Sequence, residues 1–199
     1  MKRLINIWVC VTLILFSVSS FAYNPDPKIF ITELVGDAIK ILSNKDISKA
    51  DKKNKIEVIA LENVDINALG LYTLGEVRKT LDQDTLKKYQ NLFEKYFLKS
   101  LTSRLIDYSE NEFEVISADQ KSEIYTMVNS KIAGNSSQPD IKIDWRVYTK
   151  DPAKPLIRDL IVEGLSLAKT QKEEFSSILN SNNKDINVLF SKLEEFINN

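Results

Sequence analysis

The apolar residues of this chain change period twice, and that change restricts the fold more than any other feature. From Phe30 to Tyr108 they recur mostly at three- and four-residue spacing. From Phe113 to Leu167 they alternate, or run together in short segments between turn residues. Helical spacing then returns. The first pattern belongs to amphipathic helices and the second to strands. Helices, then strands, then helices specify an α+β fold with helices gathered on one face of an antiparallel sheet.

The helical part opens at Asp26-Pro27, a capping residue followed by proline at the first helical position. Phe30, Leu34, Ala38, Ile41 and Leu42 form the first stripe, which stops near Asn44. A charged stretch, Lys45 to Lys55, follows. Ile56, Ile59 and Ala60 predict a second short helix before Val64-Asp65-Ile66. Leu69 to Gly75 is apolar with two glycines and reads as a buried turn between helices. Thr80-Leu81-Asp82-Gln83 has the form of a capping box. It opens the longest periodic segment, with Leu86, Tyr89, Phe93, Tyr96, Phe97, Leu101, Leu105 and Tyr108 on one wide stripe, to about Asp107.

Strand signals begin at Phe113-Glu114-Val115-Ile116, with a turn over 117–122. Ile124–Ile132 is the second candidate, and residues 133–139 are a loop. Ile141, Ile143, Trp145 and Val147 alternate strictly with Lys142, Asp144, Arg146 and Tyr148. Asp151 to Pro155 has hairpin-loop composition. Leu156–Leu167 reads as a last strand, apolar on both faces for much of its length, as an inner strand would be. The spacing predicts a meander of about four strands. Two helices, near Ala168–Asn180 and Asp185–Ile197, complete the chain. A curved sheet cupped around the long helix leaves room for a cavity between them.

Before all this stand Lys2 and Arg3, an apolar run from Leu4 to Val18, and small residues up to Ala22. Basic, then apolar, then small is the order of a secretory signal, so residues 1–22 are expected to be cleaved and 23–199 to form one domain. Cys10 lies inside the apolar run rather than at the cleavage point, which argues against a lipoprotein. Loss of the leader removes Lys2 and Arg3 and moves the net charge from −1 to −3. It also removes the chain's single cysteine, leaving stability to burial alone.

The chain has no histidine. A Ser–His–Asp site, a Cys–His nucleophile, a His-ligated metal and a Cys-based zinc site are therefore excluded. With 27 Lys+Arg against 28 Asp+Glu there is no global basic field to recruit nucleic acid. Two carboxylates could do acid–base chemistry. Asp159 and Glu163 are four apart and would share one face of a regular strand. The bland reading, favoured here, is that each bonds a nearby cation or backbone amide. Gly164 marks a bulge or a close backbone approach. Ser166 has no histidine to activate it. Asp144 and Tyr125 could face an isomerase-like cavity, though nothing in their spacing selects them.

Several segments resemble one family. Asp159-Leu160-Ile161-Val162-Glu163-Gly164-Leu165-Ser166 is similar to the D-x-x-x-E-G-[VI]-S segment of the MlaC family. Thr170 to Phe175 is similar to its T-x-R-x-x-F, with Lys172 where the family usually has Arg. Val64-Asp65 and Leu74-Gly75 resemble positions ahead of its long helix. The glycine usual before the last helix is missing around Asn182–Lys184. The resemblance implies a nuclear-transport-factor-like twisted sheet with helices and an apolar cavity. It implies a periplasmic phospholipid-binding auxiliary component of a toluene-tolerance-type ABC transport system. Such a protein would shuttle lipid between an outer-membrane lipoprotein complex and an inner-membrane ABC transporter with a substrate-binding ring subunit, maintaining lipid asymmetry without enzymatic activity or cofactor.

A carrier needs an apolar cavity and no catalytic group. Expected cavity residues are Leu92, Phe93, Tyr96, Phe97 and Leu101 of the long helix. From the strands they are Val115, Met127, Ile143, Trp145, Val147, Leu160, Val162 and Leu165. About half are expected to touch lipid and the rest to be plain core. The competing readings are a carrier of another lipid such as a hopanoid, a cavity enzyme of isomerase or hydratase type, and a purely structural adaptor.

Overall fold

The structure is a computed structural model that describes residues 23–105, 112–134 and 139–199. The proposed leader, residues 1–22, lies outside the described residues, as do the expected helix end near Asp107 and most of the loop before Pro139. Among the described residues, six α-helices and five strands follow in the order α1 (Pro27–Ser43), α2 (Lys49–Asn63), α3 (Ile66–Thr73), α4 (Gln83–Leu105), β1 (Phe113–Ser122), β2 (Tyr125–Ile132), β3 (Ile141–Tyr148), β4 (Leu156–Val162), β5 (Leu165–Ser166), α5 (Leu167–Ser181) and α6 (Ile186–Asn198). A short 3₁₀ helix, Gly75–Lys79, joins α3 to α4. The sheet is an antiparallel meander in the order β1-β2-β3-β4-β5.

Four details differ from the sequence reading, each for a local physical reason. The expected turn at Leu69–Gly75 is mostly helix α3. Gly70 sits inside it because a Cβ there would lie 2.9 Å from Phe93 Cδ1, so the residue permits close helix packing rather than a turn. Gly75 does turn, with φ of 57°. The long helix is capped by Asp82, which accepts from the Thr85 N–H at 2.8 Å, instead of by a Thr80 capping box. Residues 117–122 continue β1, paired with Tyr125–Asn129 through two register shifts.

The fourth difference matters most. The apolar run Leu156–Leu167 is three elements. Glu163 and Gly164, with φ of 49° and 81°, form a two-residue turn of the kind that suits the right-handed twist of a hairpin. The chain folds back so that Ile161 faces Ser166 and Val162 faces Leu165. Helix α5 starts at once, with Ser166 as its cap, accepting from the Lys169 N–H at 3.0 Å. The two-residue β5 makes the count five rather than four.

Two separate hydrophobic clusters hold the molecule. One is helical, built from Leu69, Tyr89, Phe93, Phe175, Leu179, Leu189, Phe190 and Leu193 where α3, α4, α5 and α6 meet. The other joins α1 and α2 to the sheet through Phe30, Ile31, Leu34, Ile59, Val128, Val147 and Ile157. Helix α1 packs on β1 and β2, whereas the main neighbours of α4 are α2, α3 and α6. Helices α1, α3 and α5 contact the sheet, whereas α4 has no comparable contact with any strand among the described residues.

The glycine missing before the last helix leaves a visible trace. Asn183 and Lys184 take φ of 54° and 60°, the left-handed region that costs a residue with a Cβ about 1–2 kcal/mol. Lys184 is nonetheless held, its N–H donating to the Leu179 carbonyl at 2.7 Å in a helix-terminating bond. Lys184→Gly is expected to stabilise the fold by about 0.5–1 kcal/mol, the relief of that strain less the added freedom of the unfolded chain. Thermal denaturation followed by circular dichroism measures it.

Candidate functional site

The gap between the two clusters is a cavity of about 440 Å³, partly open to solvent. Helix α1 contributes Leu34, Val35, Ala38, Ile39 and Leu42, and α2 contributes Ile56, Ile59 and Ala60. Phe93, Tyr96, Phe97, Leu101 and Leu105 come from α4. Phe113, Ile132, Ile143, Trp145, Ile157 and Leu160 come from the sheet. Hydrocarbon and aromatic surface dominates this wall. Its polar groups are few: Ser100, Arg104, Thr170, Gln171 and Glu174 on α4 and α5, plus Thr73 and Asp159. Arg104, Thr170 and Glu174 are exposed, whereas Asp159 is buried.

Several of the polar side chains reaching into this region are held by hydrogen bonds. The Tyr96 hydroxyl donates to Gln171 Oε1 at 2.8 Å, and Gln171 Nε2 donates to Glu174 at 2.9 Å. Burial pushes the Tyr96 hydroxyl pKa up, with the Glu174 charge adding to it. Tyr89, deeper in the helical cluster, shares a 2.8 Å hydrogen bond with Thr73, and burial pushes its pKa well above that of a free tyrosine. Both phenols stay neutral and act as amphipathic wall. Trp145 lies in the sheet wall, Nε1 donating to Ser130 Oγ at 2.9 Å, and Phe113 packs edge-on against its ring.

Of the thirteen residues expected to line a cavity, seven do: Phe93, Tyr96, Phe97, Leu101, Ile143, Trp145 and Leu160. Six do not. Leu92 packs against the helical cluster, and Val115 and Val147 belong to the sheet cluster. Met127 points the other way from the fully buried Val128, into a groove on the sheet's second face. Val162 pairs with Leu165 beside the hairpin turn, and Leu165 is 69% exposed. Strand alternation fixes which residues share a face but not how far along the strand a cavity extends. The contributions of α1 and α2 were missed altogether. A signal existed, because Val35 and Ile39 widen the apolar stripe of α1 beyond what one contact surface needs.

The motif residues build the frame of this site. A bulge between β3 and β4 leaves Arg158 without a partner in the ladder. Asp159 is buried and holds the start of α5: it accepts from the Ser166 hydroxyl at 2.7 Å and from the Ala168 N–H at 3.1 Å. Arg146 stands 3.6 Å away. The Glu163 carboxylate accepts from the Lys142 N–H, while the Glu163 N–H donates to the Lys142 carbonyl at 3.0 Å, extending the ladder past the turn. Asp159 and Glu163 are thus not a pair on one strand face. Asp144 accepts from Asn129 at 2.8 Å, and the Tyr125 hydroxyl accepts from Arg158 at 3.0 Å. Neither Asp144 nor Tyr125 lines the cavity.

The other motif segments meet the same junction. Val64 bridges Ile157, and Asp65 caps α3 through the Ala68 N–H at 3.1 Å. Asp65 also binds Arg158 at 2.7 Å, and that guanidinium stacks 3.4 Å from the centre of the Tyr148 ring. Phe175 meets Phe93 edge-on, and the Lys172 ammonium lies 4.9 Å over Tyr72. Asp159→Asn keeps the volume but cannot accept both bonds with equal strength and loses the charge facing Arg146. It is expected to destabilise the protein by about 1–3 kcal/mol, while hydrocarbon binding by the folded fraction is retained. Urea denaturation and ligand titration check the two halves separately.

The sequence profile of the MlaC protein family matches residues 32–195. Among curated protein sequences there is no significant match. Among solved structures, a phospholipid-binding protein from Ralstonia solanacearum, determined in complex with a phospholipid, superposes with a TM-score of 0.70 at 16% identity. The superposition covers 84% of this chain and 94% of that one, so the two share a fold. The family match spans every motif segment, the helices and the sheet that enclose the cavity: this chain belongs to the MlaC family.

Proposed function

We propose that this protein is a periplasmic phospholipid carrier, exported by residues 1–22, that takes the acyl chains of a lipid into the cavity and leaves the headgroup at its opening. The observation that carries this reading is the cavity of about 440 Å³ with its predominantly hydrocarbon wall, in which Arg104, Asp159 and Glu174 are the only charged residues among those described. Family membership and the lipid-bound relative of the same fold support it.

The physics of the task matches the wall. Burial of a methylene is worth about 0.8 kcal/mol, so two acyl chains with about 30 methylenes resist crossing water by on the order of 20 kcal/mol. A carrier removes that barrier by substituting hydrocarbon side chains for bilayer. Aromatic and aliphatic groups suffice, which is consistent with a chain lacking histidine. Each carboxylate that could serve a cavity enzyme is engaged in holding backbone or a polar neighbour, which favours binding over catalysis. The partners in this reading are an outer-membrane lipoprotein complex and an inner-membrane ABC transporter with its ring subunit. Passage between them would maintain lipid asymmetry.

Organic extraction of natively purified protein, followed by mass spectrometry, is expected to return phospholipid at near-stoichiometric amount. A polycyclic or isoprenoid lipid would redirect the reading to another cargo, and an absence of both extracted lipid and uptake from donor vesicles would refute it. Ala38 lies on the α1 wall, so Ala38→Trp should fill the space. Exclusion of two methylenes alone would weaken uptake about tenfold, with the circular dichroism spectrum unchanged.

A further inference from the structure

The second face of the sheet carries a groove of about 710 Å³ that runs from the β1–β2 hairpin across β3 and β4 to α3 and the 3₁₀ helix. Four cations line it, Arg78, Lys121, Arg146 and Arg158, and no carboxylate does. In a chain with a formal net charge of −1, a lining with four cations and no carboxylate is a local concentration of positive charge.

The cations differ in how far they are already satisfied. Arg158 is fixed by Asp65 at 2.7 Å and by its stack on Tyr148, which presents a rigid guanidinium edge. Arg146 reaches Asp159 only at 3.6 Å, and its side chain is 45% exposed. Arg78 donates to a neutral acceptor, the Leu71 carbonyl, at 3.0 Å. Lys121 has no ion-pair or hydrogen-bond partner among the described residues. Tyr72 and Met127 supply apolar floor between them. Arginine together with tyrosine and methionine surface is the composition enriched in protein-binding patches.

The spread of charge separates the possible occupants. Lys121 stands on β1 and Arg158 on β4, three strand intervals apart in the sheet, or about 14 Å at the usual spacing. One phosphate cannot meet both. A bilayer surface is flat, whereas the groove is concave. An extended chain bearing several carboxylates fits both the length and the shape.

We propose that this groove docks an acidic polypeptide segment of a partner protein. Its carboxylates meet Lys121, Arg146 and Arg78, while an apolar residue of the segment rests on Met127 and Tyr72. Leu69 and Ala168 line both the groove and the apolar cavity, so a docked segment lies directly behind the cavity wall. The groove's charge is independent of whether the cavity takes lipid, so the two claims fail separately.

The test titrates the full chain with a synthetic Asp- and Glu-rich peptide, followed by amide chemical shifts and calorimetry. Inorganic phosphate and phosphatidylglycerol vesicles serve as competing probes. Expected are shifts centred on Tyr72, Lys121, Met127 and Arg146, and an affinity that falls with salt. Lys121→Glu combined with Arg78→Gln should weaken binding about tenfold, and Lys45→Glu combined with Lys53→Glu should not. Lys121→Glu alone, at an exposed strand end, serves if the double variant melts early. Shifts scattered over the lysines of α2 and α4 overturn the proposal. So does vesicle binding at the groove without peptide binding, and so does displacement of the peptide by an equal concentration of phosphate.

Discussion

The interior of this protein is closed twice instead of once. A helical cluster around Tyr89, Phe93, Phe175 and Leu189 forms one seal, and a sheet cluster around Ile31, Val128 and Val147 forms the other. Val64 packs against both. Protein interiors normally collapse to crystal-like density. Here the helical and sheet layers are each stabilised by their own cluster, so neither needs to fall onto the other. The space between is left with walls that already belong to folded elements, and the cavity is a consequence of where burial is complete.

Holding the layers apart requires a rigid seam along one side, and the motif residues supply it. Asp159 ties β4 to the first turn of α5, and Glu163 ties the hairpin turn to β3. Asp65 ties α3 to β4 through Arg158, and the Val64 bridge lies alongside. Gly75 and Gly70 allow the 3₁₀ turn and the close approach of α3 to Phe93. Polar groups with specific geometry do the positioning, and apolar groups with little specificity form the surface available to a ligand. That division explains why the most recognisable sequence segments do not contain most of the cavity wall.

The same division decided what was legible in the sequence. Helix α4 and strand β3 declare themselves, because the stripe from Leu86 to Leu105 and the alternation from Ile141 to Tyr148 each match one period over many residues. The run Leu156–Leu167 does not, since an apolar strand, a two-residue turn and a helix start share one composition there. The turn is revealed by the positive φ at Glu163, an unusual residue for that role. Periodicity told that Phe93, Phe97 and Leu101 point inward, but inward means core for Leu92 and cavity for Leu101. That distinction is set by the distance between layers, which no single segment encodes. For the same reason Met127, expected in the cavity, faces the groove on the sheet's other side, since a strand with both faces partly covered gives no preference.

Trp145 offers the most direct test that the space between the layers is where lipid goes. It lines the cavity and is the only tryptophan among the described residues, so a Trp8→Phe variant leaves it as a single internal reporter. Loading that variant from vesicles whose phospholipids carry bromine on the acyl chains should quench Trp145 emission strongly, while lipids brominated on the headgroup should leave it nearly unchanged. Uptake of lipid with no chain-dependent quenching would contradict the account, since the hydrocarbon would then lie somewhere other than between the two clusters.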